Sequence, residues 1–184
     1  MVEQSSLINA SFKPQDYIGF STSPELNSLV QGERILFADK IKKTNLYNWE
    51  QERVIVITIN GIYNIHKKSI KRKLDFAKIS AVTKTISPSS NTREFTIHLP
   101  EEYDYRYLSD RRDAIIDIIK RRFYDIKKKN LPMFGTSSPN LKDFTTTEKD
   151  KRKQNSRFPP PDMRITSEDL VTSGEVDALK KDST

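Results

Sequence analysis

The stretch RVIVITINGIYNIH, Arg53–His66, decides how this chain folds. Its first half, RVIVITI (53–59), is β-branched at nearly every position, the composition of a strand buried on both faces or closed into a tight barrel. Asn60-Gly61 follows at once. This dipeptide predicts a type I′ hairpin turn, whose two central residues both need positive φ. IYNIH (62–66) then reads as the returning strand.

Working outward, RILFADKIKKTN (34–45) is an apolar cluster followed by polar alternation. KLDFAKI (73–79), AVTKTI (81–86), EFTIHL (94–99) and EYDYRYL (102–108) supply further short strands, most of them separated by polar turn material such as Ser87–Asn91. Strands about 8–12 residues apart predict an antiparallel sandwich or a small barrel. The apolar period then changes from two to 3.6. Ala114, Ile115, Ile118, Ile119, Phe123 and Ile126 share one helical stripe, with Ser109 or Asp110 as N-cap and Lys127–Lys129 at the negative end of the dipole. Asn130-Leu131-Pro132 ends the helix.

The flanks read differently. Residues 1–31 form a partly ordered leader, with a short helix near Ser23–Val30 packing on the domain edge. Residues 131–184, which include EKDKRKQNSR (148–157) and Phe158–Pro161, lose all periodicity and are expected to be a disordered polar tail. The domain proper is placed at residues 32–130.

Bulk properties narrow the function. The chain has 184 residues, is 35% apolar and contains no cysteine, which excludes disulfides and thiolate metal sites. No apolar run reaches the ~20 residues that span a bilayer, so any membrane contact is peripheral. With no apolar leader, the expected location is cytoplasmic. Residues 1–130 hold 23 Lys/Arg against 16 Asp/Glu, while residues 131–184 hold nine of each, so the net charge of +7 lies in the first part of the chain. An anionic partner follows: membrane, nucleic acid or acidic protein.

Four blocks together, RILFADKIKK, ERVIVITINGIYNI, IKRKLDFAKISAVTKTISPS and EFTIHLPEEYDYRYLSDRRDAIIDII, resemble the tail-homology domain of class I myosins over about residues 33–126. The resemblance implies a pleckstrin-homology-like, seven-stranded antiparallel barrel capped by one C-terminal helix, mainly β. It implies a non-catalytic tail module in a chain that carries no motor, since no phosphate-cradling Gly-rich loop is present. Anionic phospholipids or phosphoinositides are the implied ligands, with a cytoskeletal or myosin-related protein as a further partner.

The sharpest cationic cluster is Lys67, Lys68, Lys71, Arg72 and Lys73, between the third and fourth strands. The resemblance adds Lys40, Lys42, Lys43 and Arg53 to it. The family's signature pairs a lysine late in strand one with Lys/Arg-x-Arg on strand two. Here the second element is Gln51-Glu52-Arg53, which keeps only its last arginine and supports general anionic attraction more than stereospecific recognition. Each cation near an anionic leaflet contributes ~1 kcal/mol. The bland alternative is a solvated hairpin tip.

Trp49, with Tyr47, lies in the loop between strands one and two, where it inserts at a bilayer interface or folds back on the barrel edge. Tyr103, Tyr105 and Tyr107 alternate and share one sheet face, expected to pack on the helix. Asp110, Asp113, Asp117 and Asp125 interrupt the helix's positive face, so that helix belongs to the core first. His66 and His98 have no ligand-like spacing, and neither a nucleophile elbow nor a kinase loop occurs. No enzyme activity, cofactor or metal is expected, and nucleic acid is the least supported partner. A protein-interaction scaffold docking an acidic partner stands as the alternative function.

Overall fold

The computed structural model describes residues 12–45, 47–86, 93–155, 157 and 164–166. Ten strands form one sheet: β1 (Gln15–Asp16), β2 (Ile35–Thr44), β3 (Glu50–Thr58), β4 (Ile62–His66), β5 (Ser69–Leu74), β6 (Ala81–Thr85), β7 (Glu94–His98), β8 (Tyr105–Leu108), β9 (Met133–Thr136) and β10 (Arg164–Thr166). The order is β10-β9-β6-β7-β8-β2-β3-β4-β5, with β1 added in parallel to β2. The helices are α1 (Pro24–Leu29), α2 (Arg112–Lys127) and α3 (Glu148–Arg152), with short 3-10 turns at Phe76–Lys78 and Lys142–Phe144.

The mainly β expectation holds, but the closed seven-stranded barrel with a single helix does not. The sheet is open, its ends at β5 and β10, because β6 gives its free edge to β9. It nevertheless wraps one core, in which Phe37, Ile55, Ile57, Phe95, Ile97 and Tyr107 meet Ile115, Ile119 and Phe123 of α2. Strand alternation separates this core from a second cluster on the other face of β2–β4, where Ala38, Val56, Tyr63 and Ile65 are covered by Phe20 and Val30 of the N-terminal segment. That segment holds the expected short helix, started by Ser23, whose hydroxyl accepts from Leu26 N, and by Pro24 in the first turn. Residues 1–11 lie outside the described residues.

The expectation of disorder from residue 131 is corrected for 131–155. Met133–Thr136 pair in parallel with Val82–Thr85, and Leu131, Met133, Phe134, Leu141 and Phe144 are buried. Gly135 permits the close fit, since a Cβ there would lie 2.9 Å from Ile86 Cγ2. Thr147 and Asp150 form a reciprocal capping box that starts α3. The Thr147-x-x-Asp150 spacing carries this start signal within the charged segment 148–157. Farther along the tail, Arg164–Thr166 form β10 on β9, while residues 156, 158–163 and 167–184 lie outside the described residues.

Two local readings also change. Neither turn residue of Asn60-Gly61 has a positive φ; β3 and β4 are joined by a longer connection in which Thr58 N donates to Gly61 O (2.9 Å). Gly61 is needed for close approach instead, because a Cβ would sit 2.9 Å from Leu74 O. At α2, Arg111 occupies the N-cap without a side-chain capping bond, and its guanidinium pairs with Asp39 (2.7 Å).

The C-terminal segment is latched by a buried carboxylate. Asp104 accepts from Leu99 N (3.1 Å) and Thr146 N (2.9 Å) and pairs with His98 Nδ1 (2.9 Å), while His98 Nε2 meets Thr83 Oγ1 at 2.6 Å. Removing the carboxylate strands three buried donors, each worth about 1–3 kcal/mol. Asp104→Ala is expected to lower stability by about 3–5 kcal/mol in urea titration. It should also raise protease cleavage within 141–157 before global unfolding, and unchanged protection there would contradict the latch.

Candidate functional site

Register places four connections at one end of the sheet. Thr44 pairs with Glu50 across the β2–β3 loop, and His66 pairs with Ser69 across the β4–β5 turn. Leu108, where β8 leaves for α2, lies against both Lys42 and Glu94, the latter at the start of β7.

The β2–β3 loop is built to hold aromatics in solvent. The Asn45 carboxamide accepts from Tyr47 N (2.9 Å) and Trp49 N (3.0 Å), and Arg106 Nη1 donates to Asn48 Oδ1 (2.7 Å). Tyr47 and Trp49 are 69% and 70% exposed, with ring centroids 5.9 Å apart. They do not fold back on the sheet. Two large aromatics held in water by a bonded loop form an exposed apolar feature of the kind that marks an interaction surface.

The β4–β5 turn consists of Lys67 and Lys68, with φ of 48° and 56°. Two successive positive φ values mark the type I′ turn that the register requires, and each costs a lysine roughly 1–2 kcal/mol relative to glycine's freedom. The two-residue turn expected at Asn60-Gly61 is therefore found here, made of cations. Lys68 reaches Glu25 of α1 at 2.9 Å in an exposed pair, whereas Lys67 and Lys71 have no carboxylate within 4 Å among the described residues.

Alternation divides the remaining cations between the two faces of the sheet. On the inner face, Lys43 Nζ lies 4.6 Å from the Tyr105 ring centroid, and burial, then Arg53 and Arg72, push its pKa below the ordinary lysine value. Arg72 stacks over Tyr103 (3.9 Å) and Tyr105 (4.7 Å), pairs with Glu102 (2.7 Å) and donates to Tyr103 O (2.9 Å). Its side chain is only 9% exposed, and its Nη1, like Arg53 Nε, is buried with no hydrogen-bond partner among the described residues. Arg53 otherwise donates to Glu52 O (2.7 Å) and Gln51 Oε1 (3.0 Å). Arg72 in turn holds the Glu102 carboxyl below the usual range, and burial pushes Tyr105 up to about 12. The three tyrosines do share one face, but Tyr103 and Tyr105 carry Arg72 rather than serving only as helix packing.

On the outer face, Lys42 pairs with Glu50 (2.7 Å), and exposed Lys40 has no carboxylate within 4 Å among the described residues. Lys73 lies 3.7 Å from Glu33 and 5.0 Å from the Tyr63 ring; its contact with Tyr63 raises its pKa. The structure thus brings Lys40, Lys42, Lys43, Arg53, Lys67 and Lys68 to one end. It engages Arg72 in an aromatic and ionic clamp and sets Lys71 and Lys73 back along the β5 edge. The arginines of α2 are structural: Arg112 Nη1 donates to Thr85 O (2.8 Å) and Arg122 Nε to Ile59 O (2.6 Å). No group of three or more His, Cys, Asp or Glu is placed to hold a metal ion among the described residues. None of their helices is long and apolar enough to cross a membrane. The chemistry this end offers is reversible attraction of anions beside an apolar probe.

A family model described as "Unconventional myosin tail, actin- and lipid-binding" matches residues 4–158. Comparison with curated proteins returned no significant match. Solved structures similar to the chain include the C-terminal domain of an unknown protein from Leishmania infantum, at 10% identity and TM-score 0.46, over 53% of this chain and 90% of that one. Another is the MyTH4-FERM domain of human myosin 7b, solved in complex with the harmonin-a PDZ3 domain, at 19% identity and TM-score 0.38, over 48% and 17%. A third is the PH domain of human oxysterol-binding protein-related protein 11, at 13% identity and TM-score 0.41, over 50% and 82%.

Proposed function

The chain belongs to the unconventional-myosin tail family, and from that premise we propose that it is a non-catalytic module that docks on acidic membranes through the end of the sheet bearing Trp49 and Lys67. The observation that carries the reading is the juxtaposition of an exposed Tyr47–Trp49 pair with a two-lysine turn, both fixed by backbone geometry. Aromatic rings favour the headgroup level of a bilayer, and lysines beside them add ~1 kcal/mol each at an anionic surface. The inner cluster of Lys43, Arg53 and Arg72 adds positive charge on the other face of the same hairpin, which supports attraction of an anionic surface to this end.

The test is co-sedimentation of the full chain with vesicles of neutral phosphatidylcholine, with phosphatidylserine added, or with a phosphoinositide added. Binding is expected only with acidic lipid and to weaken with salt. Trp49→Ala is expected to weaken it about tenfold on acidic vesicles at every salt concentration. Equal binding to neutral and acidic vesicles would sink the proposal.

A second reading is favoured by the other half of the family description: the same cations dock an acidic protein, actin filaments above all. Co-sedimentation with filamentous actin in place of vesicles separates the two. A link between membrane and cytoskeleton requires both.

A further inference from the structure

The apolar stripe of α2 runs one turn beyond the core it covers. Ile115, Ile118, Ile119 and Phe123 are buried, but Ile126 is 39% exposed, as is Tyr124. Lys127, Lys128 and Lys129 follow, all exposed, with no carboxylate within 4 Å among the described residues. The acids of the helix are engaged elsewhere: Asp113 with Arg112 (3.1 Å), Asp117 with Arg121 (3.6 Å) and Asp125 with Arg122 (3.7 Å). A helix C-terminus carries roughly half an elementary negative charge, so three lysines more than satisfy it. The patch lies at the end of the sheet away from Trp49, because Arg122 Nε reaches Ile59 O, beyond the end of β3 that is opposite the β2–β3 loop.

The last described strand leads to the same place. β10 runs antiparallel to β9, with Arg164 opposite Gly135 and Thr166 opposite Met133. Only Asn130, Leu131 and Pro132 separate Met133 from Lys129, a span of at most ~14 Å. The residues after Thr166 read SEDLVTSGEVDAL (167–179) and carry Glu168, Asp169, Glu175 and Asp177 with no base among them. Leu170, Val171, Val176 and Leu179 make the same stretch partly apolar. We propose that residues 167–179 dock on the last turn of α2 in their own chain, carboxylates against Lys127–Lys129 and apolar residues over Tyr124 and Ile126. Uncovered apolar side chains followed by unpaired lysines fit an acidic, partly apolar segment, and the register delivers one beside them. A tether this short sets an effective concentration on the order of mM, so a weak contact suffices. On the membrane reading above, docking has a consequence: it neutralises the second cationic end, and acidic surfaces are engaged through Trp49 and Lys67 alone.

The chain contains no cysteine, so Ser173→Cys takes a single nitroxide label. In NMR spectra of the labelled full chain, the amide signals of residues 124–130 are expected to be lost. Glu168→Lys/Asp169→Lys should restore them, and adding Lys127→Glu/Lys129→Glu to that variant should remove them again. Lys127 and Lys129 are exposed, so their reversal leaves the fold in place. Signals that the label does not affect, or a loss that the first reversal leaves unchanged, overturn the docking. Loss on an unlabelled, isotope-enriched chain mixed with labelled copies overturns its intrachain form in favour of a second copy. The membrane consequence is tested separately. Glu168→Gln/Asp169→Asn/Glu175→Gln/Asp177→Asn should bridge phosphatidylserine vesicles and turn them turbid, where the wild-type chain leaves them clear. A variant that binds those vesicles without bridging them overturns the masking of the second end. A wild-type chain that ignores acidic vesicles overturns the membrane reading, and the label experiment still decides the docking.

Discussion

Lys67→Glu/Lys68→Glu/Lys71→Glu is expected to reduce partitioning onto acidic vesicles by at least a thousandfold while leaving the fold intact. Each lysine near the leaflet contributes ~1 kcal/mol, and reversal replaces attraction by repulsion of similar size, so three reversals remove more than ~4 kcal/mol. Lys68 counts for least, because its ion pair with Glu25 already offsets part of its charge. All three side chains are exposed, and none is buried against the core, so thermal unfolding should move by little. Glutamate tolerates the positive φ at Lys67 and Lys68 no worse than lysine does. The measurement is vesicle co-sedimentation at moderate salt beside a melting curve. Retained vesicle binding with an unchanged melt would remove the hairpin tip from the membrane contact.

A chain ended after Asn130 is expected not to fold. The deletion uncovers the β6 edge, leaving Val82–Thr85 without their parallel partner. It also removes the buried side chains of Leu131, Met133, Phe134, Leu141 and Phe144. At ~1.5–3 kcal/mol each, these contribute about 10 kcal/mol, comparable with the ~5–15 kcal/mol that holds a typical domain together. The exposed edge would then invite aggregation. A chain ended after Thr166 keeps every described residue and serves as the control. Circular dichroism and gel filtration of the two proteins decide the matter, and a monomeric, cooperatively melting 1–130 fragment would contradict it. The family match to residues 4–158 agrees with a unit that runs past 130.

Part of this protein was legible in its sequence because the relevant signals are local. The β-branched run of 53–59 and the 3.6-residue stripe of 114–123 need only the geometry of a strand and a helix, and both elements formed where those patterns run. The short helix expected near Ser23–Val30 formed as α1 for the same reason. The four blocks that resemble a myosin tail likewise pointed to the family that the match to residues 4–158 establishes. What the sequence did not determine depends on partners distant along the chain. Met133–Thr136 is a strand because Val82–Thr85 offers it an edge, and four residues carry no period long enough to announce that. The type I′ turn sits at Lys67-Lys68, not at Asn60-Gly61, because the His66–Ser69 register leaves two residues to close it; Gly61 is spent on packing against Leu74.

The cations show the division most clearly. Composition alone made residues 1–130 basic and placed their charge in the hairpins. Only the tertiary structure set Arg72 over two tyrosines against Glu102, turned Lys43 inward and Lys42 outward, and left Lys40 and Lys67 exposed with no carboxylate within 4 Å among the described residues. The physical reason is that net charge is a sum over residues. Whether a given charge is spent within the fold or remains for a ligand depends on which face its strand presents and on what another segment places opposite it.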